Sequence, residues 1–277
     1  KSEGSIALAT ESLLANCYTY LPDVVLIVSA FFVPAFAYDI MQARGVKVAV
    51  LLTESPYEDT TQANIAARAD LALVNDPTNL GMFRERQPNT WYVPHAYDPT
   101  VHQRRPPSPD LLCDFGWVGT AFDSRRLFFE SVDWSGIDVG LAGNWEGYEG
   151  KLEPFLVNPK GTCFDNDATV DLYSSCRASA NLYRRETGPQ DRFEGWAMGP
   201  REVELAACGT FFLTEPRGEN QEVLPMVPTF TGPDEFSELL RWYLAHDEAR
   251  DRIAQAARAA IADRTFDNNC KFLLDKL

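Results

Sequence analysis

An α/β protein of two domains, each built on a parallel sheet, is what this sequence predicts, and three observations predict it. Short β-branched apolar runs alternate with helical stretches between residues 24 and 93, the pattern of strands joined by helical crossovers. The alternation breaks at Arg104, Arg105, Pro106, Pro107, Ser108 and Pro109, which have no apolar period, and restarts at Asp114, so this stretch reads as a linker. A chain of 277 residues that is 45% hydrophobic can fill two ordinary cores. The expected boundaries are a first domain over 1–106, a second over 107–262, and a C-terminal helix over 263–277. The apolar stripe of Phe272, Leu273, Leu274 and Leu277 predicts that this helix packs back toward the first domain.

In the first half, the continuous run at 24–29 predicts a strand covered on both faces. A helix is expected over 39–44, stopping at Gly45, then strands over 46–52 and 71–74 on either side of a helix at 61–68. A helical turn at 82–86 leads into a strand at 90–93. No strand or Gly-rich turn precedes Leu21, so the first domain is expected to lack its N-terminal strand. Ligands of parallel sheets lie outside the C-terminal strand ends, where Glu54, Asn75, Asp76 and His95 fall. Two roles are open to Glu54, a general base or a cap for the next helix. His95 is open to a catalytic role or to a structural hydrogen bond.

In the second half, strands are expected over 114–119 and 137–143, with a helix opening at Asp123 and a further helix at 170–176. A strand at a sheet edge is expected over 178–183. Helices follow around Phe236, Leu239, Leu240, Tyr243 and Leu244, and around Ile253, Ala257 and Ile261, the second capped by Asp247. Between the 178–183 strand and these helices lies the most informative stretch. Pro200 suits the first position of a helix and Gly209 the residue past its end. Arg201 sits in the first turn, against the macrodipole, unless an anion lies there. Glu204 shares its face and can accept hydrogen bonds from hydroxyls. The stretch therefore reads as a nucleotide-sugar site, with a surface ion pair as the plainer alternative.

The net charge of −15 argues against bulk attraction to nucleic acid or anionic membranes. The longest apolar run, 24–37, is interrupted by Pro34 and too short to span a bilayer. Six cysteines occur without a C-x-x-C pair and read as reduced, buried thiols of a cytoplasmic protein.

The order of motifs is similar to a known family. Val93-Pro94-His95-Ala96-Tyr97-Asp98 closes the first domain, and Phe115-Gly116-Trp117-Val118-Gly119 precedes the pair Arg125-Arg126. Gly143-Asn144-Trp145 and Asn181 come before the Arg201-Glu202-Val203-Glu204 helix, which ends in Ala207-Cys208-Gly209. In this order the chain resembles the GT-B glycosyltransferases, and among them the CgeB-like group, over roughly residues 20–275 and most strongly from Pro94 onward. The resemblance implies two Rossmann-like domains facing a cleft and transfer of a sugar from a nucleotide-diphosphate sugar to an acceptor hydroxyl, with no cofactor required. It implies a donor set of Gly119, Arg125, Asn181, Arg201, Glu204 and Glu222. In it Glu204 takes the ribose, Arg201 the diphosphate, and Gly119 allows close approach, while the reach of Glu222 to the sugar stays open. Glu54 or His95 is the catalytic group on the acceptor side. A protein, a polysaccharide or a modified nucleic acid are all open as acceptor. A nucleotide-sugar epimerase and a non-catalytic sugar- or nucleotide-binding module are the alternatives. The acid that many retaining relatives carry eight residues before the Glu204 position is replaced by Trp196. Asp165-Asn166-Asp167 has the Asp-x-Asp form that many metal-dependent members of this class use. It lies beside Gly161 and Asn158 and reads as a polar loop, so no metal is expected.

Overall fold

The computed structural model describes residues 3–187 and 194–277. Contacts divide the chain into two compact units. The first takes the described residues of Lys1–Pro94, Thr187–Trp196 and Asn269–Leu277, the second His95–Glu186 and Ala197–Asn268.

The first unit runs α1 (Glu3–Tyr20), β1 (Val24–Val28), α2 (Ala35–Ala43), β2 (Lys47–Leu52), α3 (Asp59–Ala66), β3 (Leu71–Val74), α4 (Leu80–Arg86) and β4 (Thr90–Tyr92). Its strands pair in parallel in the order β1-β2-β3-β4. All of β3 and most of β2 are buried, as continuous apolar runs in a two-sided sheet should be. Tyr38 and Met41 of α2 and Ala63, Ile65 and Ala66 of α3 pack on this sheet. One element was not anticipated and one expectation needs correction. Helix α1 precedes β1; its apolar residues are spread around the helix, only Thr10 and Cys17 are buried, and so no amphipathic period marks it. Strand β1 is an edge strand that leaves Leu26 41% and Val28 57% exposed, because β-branching reports a preference for extended backbone and not which faces are covered.

The second unit contains β5 (Cys113–Val118), α5 (Asp123–Ser131), β6 (Val139–Ala142), α6 (Asn166–Ser175), β7 (Cys176–Asn181), α7 (Pro200–Ala207), β8 (Phe212–Thr214), α8 (Gly218–Val223), α9 (Pro233–Leu244) and α10 (Asp247–Ala260). Its parallel sheet has the order β6-β5-β7-β8. Strand β7 is thus interior and not at the sheet edge. Phe115, Trp117, Phe129, Trp145, Phe230 and Phe236 form an aromatic core on one face. Val170, Tyr173, Val203, Leu205 and Ile261 pack on the other.

The proline-rich stretch lies inside this unit. Arg105 pairs with Asp167 at 2.5 Å and Asp171 at 3.1 Å, and Arg104 donates to the Gly209 carbonyl at 2.8 Å. Asp165 caps α6 by accepting the Ala168 N–H at 2.8 Å, so the Asp-x-Asp carboxylates are engaged in a cap and an ion pair. The six cysteines are free; Cys163 and Cys270 are exposed, contrary to the expectation of burial. Burial pushes the Cys113 and Cys208 thiols up to about 12.

The last helix, α11 (Phe266–Lys276), ends within the first unit. Leu273 packs with Leu71, Leu73 and Val93, the Phe272 ring meets Trp91 edge-on at 6.3 Å, and Asn269 donates to the Pro94 carbonyl at 2.9 Å.

Candidate functional site

In the second unit the chain passes from β5 outward to β6 and then returns across β5 to β7. The strand order therefore reverses between β5 and β7, and the crevice outside their C-terminal ends is where such sheets hold ligands. Gly119 follows β5 at this point and Asn181 ends β7. Backbones crowd here: a Cβ on Gly143, whose φ is +106°, would lie 2.3 Å from the Gly119 carbonyl oxygen, so only glycine fits.

Arg201, in the first turn of α7, reaches into the same crevice. Its Nε donates to the Val118 carbonyl at 3.0 Å and its Nη1 to Asn181 Oδ1 at 3.1 Å. The guanidinium lies over the Trp117 ring, 4.9 Å from its centre, and a Cβ on Gly119 would meet Nη2 at 2.5 Å. Gly119, Asn181 and Arg201 are thus brought together, although 82 positions of sequence separate the first from the last. One turn along, Glu204 is half-buried, and its carboxylate makes no hydrogen bond or ion pair with another described residue. The plainer alternative, an Arg201–Glu204 surface pair, is therefore not formed.

Beneath α7 lies a network that the sequence reading did not assign. Glu202 is fully buried. Its Oε2 accepts the Gly199 N–H at 2.7 Å and the Tyr183 hydroxyl at 2.5 Å, and its Oε1 accepts from Thr214 Oγ1 at 2.8 Å and Asn220 Nδ2 at 3.0 Å. Burial raises the Glu202 carboxyl above the usual range, against the pull of these four donors. Glu202 is the third helical residue reaching back to the cap backbone, as in a capping box, and that spacing from Gly199 was the available signal. Neighbouring Glu219 is buried as well, accepting the Met198 N–H at 2.6 Å and Arg264 at 2.7 Å. Arg217 donates to the Ala197 carbonyl at 3.0 Å and covers the Tyr183 ring at 3.7 Å. The turn into α7 is pinned from below while Arg201 reaches into the crevice.

The other expected residues make different contacts. Arg125 is 9% exposed and donates to the Thr120 and Leu182 carbonyls at 3.2 and 2.9 Å; its guanidinium ties the loop after β5 to the end of β7. Arg126 pairs with Asp123. Glu222 is exposed on α8. Glu54 follows β2 in the first unit, half-buried, with its N–H donating to Gln62 Oε1 at 3.2 Å. His95 is half-buried at the start of the second unit. Among the described residues no group of three or more His, Cys, Asp or Glu side chains is placed to hold a metal ion, and no helix is long and apolar enough to cross a membrane.

Comparison with solved structures agrees with this architecture. Sucrose-phosphate synthase from Thermosynechococcus elongatus superimposes with a TM-score of 0.68 at 11% identity, covering 98% of this chain and 77% of that one. The Anabaena protein Alr3699/HepE, solved with UDP and glucose, gives 0.65 at 14% identity over 98% and 81%. An alpha-glucosyltransferase in complex with UDP and DNA containing an HMU base gives 0.63 at 13% identity over 92% and 80%. No curated protein matches in sequence. A profile of the glycosyl transferase-like family matches residues 125–275, which takes in the Arg125 helix, Asn181, all of α7 and nearly all of α11. Spanning more than half of the chain, that match places it: the chain belongs to the glycosyl transferase-like family and is a glycosyltransferase of the GT-B fold.

Proposed function

We propose that the crevice between β5 and β7 binds a nucleotide-diphosphate sugar, with a UDP-sugar as the first donor to test, and that the enzyme transfers the sugar to an acceptor hydroxyl. The observation that carries this reading is the position of the Arg201 guanidinium, over Gly119 and beside the start of α7, at the switch point of the sheet. A diphosphate there would meet a cation and first-turn amides that have no intrahelical acceptor. Glu204, whose carboxylate is uncommitted, takes the ribose hydroxyls. In the transfer, the bond between the anomeric carbon and the diphosphate oxygen breaks, and the acceptor oxygen bonds to that carbon. The acceptor proton passes to a base, and the negative charge on the leaving diphosphate is stabilised by Arg201 and the helix start. Glu54 and His95 are the two candidates for the base. The similar structures with UDP in their descriptions support the donor class.

The Arg-x-x-Glu helix with its Ala-x-Gly ending supports placement in the CgeB-like group. Six free cysteines support a reducing, cytoplasmic setting. The reading requires no cofactor besides the donor. A thermal-shift series with UDP-, GDP-, dTDP- and CMP-sugars tests it. A donor present at a hundred times its Kd stabilises the fold by about 2.7 kcal/mol, and the expected result is a shift with one base only. No shift with any of the four overturns the reading.

A further inference from the structure

The first unit carries an open cleft that none of the preceding assignments uses. Its volume is about 440 Å³, and Pro77, Thr78, Tyr92 and Trp196 line it, a size within the range of small-molecule sites. The cleft sits at the C-terminal ends of β3 and β4: Pro77 and Thr78 lie in the turn after β3, and Tyr92 is the last residue of β4. Parallel sheets present ligand sites at this end.

Two rings form its walls. Tyr92 and Trp196 meet edge to face, with centroids 6.0 Å apart and planes at 80°, and both are half-buried, so part of each ring is open to the cleft. The Trp196 backbone N–H donates to Thr78 Oγ1 at 3.1 Å, which holds the tryptophan against the turn after β3. The Thr78 hydroxyl oxygen is the acceptor in that bond, leaving its proton to donate toward a ligand.

Among the described residues the lining has no lysine, arginine, aspartate or glutamate. A phosphorylated ligand would have no cation to pair with among these four residues, and the net charge of −15 opposes a polyanion further. What the lining does offer is aromatic ring surface, whose electron-rich faces attract the polarised C–H groups on one face of a pyranose, together with the Thr78 hydroxyl for a sugar hydroxyl. We infer that this cleft is a subsite for a neutral hexopyranose ring of the acceptor, with Trp196 as its platform. The inference rests on the glycosyltransferase reading for the word acceptor, and on the cleft alone for the sugar.

Saturation-transfer NMR on the full chain tests it, with methyl α- and β-glucopyranoside and methyl β-galactopyranoside as probes, and glucose 6-phosphate and 4-nitrophenol as competitors. At least one methyl glycoside is expected to receive saturation on the ring protons of a single face. Trp196→Ala weakens its binding at least tenfold and Trp196→Phe keeps most of it, with circular dichroism and thermal unfolding checking that both variants fold. Glucose 6-phosphate competes no better than the neutral glycoside. Unchanged glycoside binding in a folded Trp196→Ala protein overturns the inference, and so does preferred binding of the phosphate or the nitrophenol. Donor binding is followed separately with UDP-glucose. Donor binding without any pyranoside binding removes this subsite and leaves the transferase reading intact. Pyranoside binding that depends on Trp196, without binding of any sugar nucleotide, keeps the subsite and removes the donor reading.

Discussion

The Tyr183 hydroxyl donates to the Glu202 carboxylate at 2.5 Å, joining the end of β7 to the first turn of α7 where both side chains are buried. Because Gly199, Thr214 and Asn220 donate to the same carboxylate, one ionisable group determines how α7 meets three neighbouring segments. Burial raises the Glu202 carboxyl above the usual glutamate range. Its contribution to stability is therefore fully present below the unfolded value of about 4.3 and is lost as pH rises through the raised folded value. Glu202→Gln cannot ionise, but it sets a second donor against the fixed Gly199 and Asn220 donors, at a cost of about 1–3 kcal/mol. The stability gap between wild type and Glu202→Gln is expected to narrow in urea unfolding as pH rises above the ordinary glutamate range. A gap that widens instead contradicts the assignment.

Gly119→Ala is expected to lower both stability and nucleotide affinity. The new Cβ would lie 2.5 Å from Arg201 Nη2 and 2.7 Å from the buried Trp117 ring. The arginine can swing away, but the ring is locked in the core, so overpacking costs about 1–3 kcal/mol. Thermal unfolding and calorimetric titration of the donor nucleotide read the two effects.

Arg125→Ala separates the tying arginine from the donor-facing one. It removes the donor from the Thr120 and Leu182 carbonyls, and a loss of about 2–4 kcal/mol in folding stability is expected. Its effect on nucleotide affinity is expected to be smaller than that of Arg201→Ala. The reverse order would support Arg125 as a direct donor contact.

Arg201→Ala and Glu204→Ala are each expected to weaken nucleotide binding by about 1.5–3 kcal/mol, the scale of a lost charged hydrogen bond. Glu204→Ala should leave folding stability nearly unchanged, since its carboxylate is bonded to no described residue. Calorimetry and chemical denaturation on the same samples check both halves.

Local chemistry determined much of this protein before any tertiary contact was considered. Pro200 and Gly209 mark the two ends of α7 because a missing N–H and a left-handed backbone, φ +66° at Gly209, are needed at those places whatever surrounds them. The buried runs of β2 and β3 announced a parallel sheet for a similar reason: two-sided burial leaves no polar alternation. Coverage, in contrast, was decided by the fold. The runs in β1 and β7 gave no sign that one is an edge and the other interior, since that depends on strand order and not on composition. The same holds for the arginines. Arg125 and Arg201 both stand in the first turn of a helix, yet one is spent on two backbone carbonyls and the other lies across Gly119. Glu202 looked like any helical glutamate until Tyr183, Thr214 and Asn220, from three separate segments, converged on it. Local sequence can specify how a backbone bends and where it stops, but the partner of a charged side chain is chosen by which distant segments the sheet order brings beside it.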